Sequence, residues 1–114
     1  MKHTPYPDAS TMRLLPWTST GGKPCYVVGD GTGYVSRKAD EVESIQLDMA
    51  DELLGHATDL LADGEATGPQ VRFLADRLTE SLHQVQRIAE SRGSRLEAVL
   101  SRSAPPQSQS QSQS

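Results

Sequence analysis

Gly29-Asp30-Gly31-Thr32-Gly33 is the stretch of this sequence best suited to holding a phosphate, because closely spaced glycines let backbone amides approach an anion. That chemistry needs the glycines where a strand turns into the N-terminus of a helix. Here Gly33 is followed by Tyr34-Val35, which favour a strand. No lysine follows as a P-loop requires, and the spacing fits neither the P-loop nor the dinucleotide fingerprint. The pentapeptide is therefore expected to be the bend of a β-hairpin, with Gly29, Gly31 or Gly33 supplying a positive φ.

The other chemical candidates are sparse. Cys25 is the sole cysteine, so it forms no disulfide within the chain and builds no zinc cage. A catalytic thiol needs a base beside it, and His3, His56 and His83 offer no ligand or triad spacing. A small nucleotide-binding or thiol-dependent enzyme using Cys25 and Thr32 is the last-ranked reading. Asp48, Asp51, Glu52 and Asp59 share one side of a helix but spread along it, so they read as a solvated face. No catalytic residue, metal, cofactor or small-molecule ligand is expected. Arg87, Arg92, Arg95 and Arg102 raise a nucleic-acid-binding regulator as an alternative, since phosphate neutralisation needs clustered cations. Stacking aromatics are missing from that region, and a sequence pI near 5.2 opposes it.

The elements that must position these residues follow from periodicity. The chain has 114 residues, only 35% of them apolar, and five aromatics: Tyr6, Trp17, Tyr26, Tyr34 and Phe73. One small domain with a thin aliphatic core is what this allows. Residues 1–12 read as disordered. Arg13-Leu14-Leu15-Pro16-Trp17 reads as an extended strap, its proline barring a helix, with Trp17 covering part of the core. Cys25-Tyr26-Val27-Val28 and Tyr34-Val35-Ser36 read as a hairpin over about 24–36.

A helix is expected over about 38–63, capped by Asp40 or Ser36, with acids at 40, 41 and 43 suiting its dipole. Val42, Ile45, Met49, Leu53 and Leu60 fall on one arc, and Leu47, Ala50, Leu54, Ala57 and Leu61 form an adjoining row. The arc spans roughly 200°, wider than one helix-helix contact. Gly64 reads as the helix stop, and Thr67-Gly68-Pro69-Gln70 as a capping box opening a helix over about 68–92. Its stripe is Val71, Leu74, Ala75, Leu78, Leu82, Val85, Ile88 and Ala89. Gly93 and a second capping box, Ser94 to Glu97, point to a short helix over about 94–102, or to a continuation of the second. Residues 103–114 are a Gln/Ser tail with nothing to bury.

The fold class is thus mainly α with a small β element: a β-hairpin packed on an antiparallel two-helix hairpin, with a short C-terminal helix and a disordered tail, the domain covering 13–102. Charge is divided. Residues 37–63 carry eight acids against Arg37 and Lys38, a balance of −6, and residues 65–102 carry six arginines against five acids, a balance of +1. No secretion signal or spanning segment is visible, so a cytoplasmic protein is expected.

The string from Arg13 to Ala57, together with Ala89-Glu90-Ser91-Arg92-Gly93, resembles a set of small uncharacterised proteins of Streptomyces and related actinobacteria. They share a Leu-Pro-Trp segment, a Gly-Lys-Pro-Cys-Tyr stretch, a Gly-Tyr-x-Ser-Arg turn into an acidic helix and a terminal Glu-Ser-Arg-Gly. The likeness covers residues 13–93. It implies an accessory role beside regulators of development or secondary metabolism, and carries over no catalytic residue. The expected function is a non-enzymatic protein-protein interaction module that docks to a protein partner or to a second copy of itself, with Trp17, Leu47, Leu54 and Leu61 at the contact.

Overall fold

Ser19-Thr20-Gly21-Gly22-Lys23 reverses the chain in a way the sequence reading passed over. The Gly22 amide donates to the Ser19 carbonyl and the Ser19 amide to the Lys23 carbonyl, each at 2.9 Å. Gly22 has φ 78°, a left-handed value that costs glycine little. In a computed structural model, which describes residues 12–29 and 31–103, this turn joins strand β1 (Met12–Thr18) to strand β2 (Pro24–Val28). Helices α1 (Tyr34–Ala62) and α2 (Gly68–Ser103) follow.

The hairpin therefore lies one strand earlier than expected. The strap of residues 13–17 is its first strand, and Tyr34-Val35-Ser36 opens α1. Strand propensity lost at Tyr34 because the 29-residue helix behind it extends naturally by one turn, whereas β2 already had a partner in β1. The disordered segments expected at 1–12 and 103–114 fall almost wholly outside the described residues.

The antiparallel register pairs Met12 with Val28, Arg13 with Val27, Leu14 with Tyr26 and Thr18 with Pro24, and shifts between Leu14 and Thr18. Pro16 sits inside that irregularity, where its missing amide breaks no ladder bond. Its carbonyl is taken over by the helices: Gln46 Nε2 donates at 3.2 Å and an Arg87 nitrogen at 3.5 Å. The Ser91 hydroxyl donates to the Leu14 carbonyl at 2.8 Å. Strand β1 thus lies across both helices, near the N-terminal half of α1 and the C-terminal half of α2.

Helix α1 starts from Gly33 with no side-chain cap, so neither Asp40 nor Ser36 is its cap. The acids at 40, 41 and 43 lie beyond its first turn. It ends with the Asp63 amide on the Leu60 carbonyl. The capping box at Thr67 is present: Gln70 N–H donates to Thr67 Oγ1 at 3.3 Å, and Thr67 N–H to Gln70 Oε1 at 2.9 Å. From there α2 runs unbroken through Gly93 for 36 residues, so the expected separate helix at 94–102 is its continuation. A helical glycine costs only about 1 kcal/mol, and contacts from Ser91, Arg92 and Arg95 hold this stretch in place.

At 36 residues α2 is about 54 Å long, and the molecule measures 66 × 39 × 23 Å. The apolar interior is correspondingly thin: Leu15, Ala39, Ala57, Leu74 and Ile88 are buried. A Cβ added at Gly93 meets nothing within 4 Å. Replacing Gly93 with Ala should therefore raise stability by about 0.5–1 kcal/mol in a urea melt; a loss of stability would contradict a continuous helix there.

Candidate functional site

The largest fully buried side chains are those of Glu43 and Ser91, each 1% exposed. Three arginines converge on the Glu43 carboxylate. Arg13 of β1 reaches Oε2 at 3.2 Å, Arg92 of α2 reaches Oε1 at 3.3 Å, and Arg95 stands 3.7 Å from Oε2. Arg13 is itself buried, donating also to Asp40 at 2.8 Å and to the Ser36 carbonyl at 3.0 Å. Burial, then the neighbouring Arg13 charge, lowers the pKa of Arg95, and Glu43 and Asp40 oppose that shift. Three cations against two carboxylates make this a structural knot with no nucleophile or free base in it.

Sequence reasoning missed this knot, taking Glu43 for one of the acids of a solvated helix start. The signals were present: an arginine inside the apolar run 13–17, and an acid lying between Ala39, Val42 and Gln46 on the helical wheel. The knot also engages arginines of the nucleic-acid alternative. Arg87 is bonded to Pro16 and Arg92 to Glu43, and Arg95 stands 3.7 Å from the same carboxylate. Of the four arginines proposed for phosphate, only Arg102, in the last turn of α2, stands away from these contacts.

The glycine pentapeptide connects β2 to α1. The structure thereby corrects the ground on which a phosphate loop was set aside, since the stretch does run from a strand into a helix. Gly29 and Gly31 have φ 154° and 93°, and Gly33 does not share the positive φ. The spacing objection stands, and the nearby cations are engaged: Arg37 donates to the Thr32 carbonyl at 2.6 Å, and Lys38 pairs with Glu41 at 3.4 Å. Asp30 lies outside the described residues. Cys25 is half-buried on the inward side of β2, and no three His, Cys, Asp or Glu side chains among the described residues gather as a metal site.

What the fold leaves open is apolar surface. A groove of about 670 Å³ runs between the helices, lined by Leu53, Leu60, Phe73 and Leu74 among others. His56, Asp59, Asp63 and Arg77 interrupt it. Leu47, Leu54 and Leu61 recur every seventh residue of α1, and none of them lines the groove. Leu54 is 60% and Leu61 69% exposed, and Leu47 is half-buried. On α2 the matching row holds Val71, Leu78, Leu82 and Val85, of which Leu82 is 67% exposed. Trp17 is half-buried on β1, so it belongs to the hairpin and not to this row.

Comparisons with protein-family models, with curated proteins and with solved structures found no match. No helix among the described residues is long and apolar enough to cross a membrane.

Removing one partner of a buried ion pair leaves the other charge uncompensated. Glu43→Ala should cost about 3–5 kcal/mol in chemical denaturation, while the double replacement Arg13→Met with Glu43→Leu should recover most of the loss; equal losses would mean that the charges themselves hold the hairpin on. With Arg87, Arg92 and Arg95 committed, a short DNA duplex at low salt should show no salt-sensitive anisotropy change. An affinity falling steeply with added salt would show these arginines free to bind phosphate.

Proposed function

We propose that this protein is a non-enzymatic protein-interaction module that works through the exposed aliphatic residues of its helical hairpin. The observation that carries this reading is the exposure of Leu54, Leu61 and Leu82 in a chain whose own buried apolar set is five residues. Contiguous apolar patches of several hundred Å² on a small protein mark interaction sites. The finer reading, an accessory protein beside a regulator in an actinobacterial cytoplasm, rests on the resemblance of residues 13–93.

A photo-crosslinking residue placed at Leu82 tests the reading in cells, with Glu90 on the polar side of α2 as the control position. Protein adducts should form from position 82 and be weak or missing from position 90. Equal labelling from the two positions, or none from 82, would remove the proposal. Circular dichroism of each variant should match the parent, because both side chains are exposed.

A further inference from the structure

We infer that the occupant of the open apolar face is a second copy of this chain, two helical hairpins packing face to face into a four-helix bundle. The inference deepens the interaction reading above and rests on it. On α2, Val71, Ala75, Leu78, Leu82, Val85, Ala89, Leu96 and Val99 follow intervals that alternate four and three, with Arg92 filling the one remaining position. Arg92 turns its guanidinium to Glu43, so it leaves the row without an outward claim on a partner. On α1, Leu47, Ala50, Leu54, Ala57 and Leu61 alternate three and four. A mean interval of 3.5 is the pattern of helices that pack knobs into holes along their length.

The α2 row is not consumed inside the chain, and on α1 Leu54 and Leu61 stay exposed although Ala57 of the same row is buried. Contact between the helices buries Ala57, Leu74 and Ile88, whereas no member of the α2 row is fully buried. Two such rows on antiparallel helices form a layer two helices wide, and the natural cover for it is another layer of the same width and spacing. The chain presents that layer itself, which is the self-complementarity an isologous dimer needs. Large leucines alternating with alanines allow the layers to interdigitate.

The area agrees. Leu54, Leu61, Val71, Leu82 and Leu96, at their exposures, present roughly 500 Å² of surface, the larger part of the ~800 Å² per partner that a specific dimer buries. The groove between the helices is a poorer seat, since His56, Asp59, Asp63 and Arg77 interrupt it.

Light scattering of the full chain from about 5 to 200 μM should give twice the chain mass of 12.4 kDa, with a melting temperature that rises with concentration. One chain mass throughout this range overturns the inference. Leu54→Glu and Leu82→Glu should each weaken dimerisation at least ~30-fold with helical circular dichroism retained, and a dimer that survives both overturns it. Should either variant lose its helices, Leu82→Gln gives the same reading with a milder change. Phe73→Glu, in the groove, should leave the dimer intact; dissociation by this variant, with Leu82→Glu harmless, places the contact in the groove and overturns the inference. A single-chain mass together with adducts from Leu82 to a different protein also overturns it, and leaves the interaction reading standing. A single-chain mass with no adducts ends both.

Discussion

One buried carboxylate organises this molecule. Glu43 receives guanidinium groups from β1 and from two successive turns of α2, while it stands on α1, so three elements are tied at a single point. Attraction between charges taken out of water is offset by the cost of dehydrating them, and the knot adds less net stability than its number of contacts suggests. Its effect is on arrangement. A slide of β1 along the helices by one residue would strand Arg13 among apolar groups without a counter-charge, and that penalty fixes the register of the hairpin on the helix pair. The carbonyls of Leu14 and Pro16, satisfied by Ser91, Gln46 and Arg87, reinforce the same placement.

Around this polar centre the apolar interior is slight. Helix α1 meets its neighbours largely through Ser36, Ala39, Glu43 and Ala57, small or charged side chains that allow close approach but bury little hydrocarbon. Most of the larger aliphatic residues of both helices lie at the surface. Burial of apolar area is the main favourable term in folding, and this chain leaves much of its aliphatic surface outside.

The helices and their antiparallel return were legible in the sequence, because apolar residues at helical spacing and a capping box at Thr67 are local signals that tertiary contacts did not override. The hairpin was legible in kind and wrong in place. Tyr34-Val35-Ser36 has strand propensity, and the correct partner of β2 lies upstream, across a Ser-Thr-Gly-Gly-Lys turn that offers no Asn-Gly or Asp-Gly pair. Gly93 was read as a break because a glycine's weakness in a helix is local, while the side chains that hold this turn in place, Ser91, Arg92 and Arg95, act on distant partners. The wide apolar arc on α1 was visible from the wheel. That Leu54 and Leu61 would stay uncovered, and that Glu43 would go inside, depended on where β1 came to rest, which no local pattern encodes.

The β-hairpin grips the helix pair at one end only, bridging α1 and α2 through Pro16. At the other end the short link from Asp63 to Thr67 joins them. The pair is therefore closed at both ends, by charge at one and by the chain itself at the other. Between these two ties the helices keep one alignment, and the exposed leucines of each arm hold a fixed spacing along it.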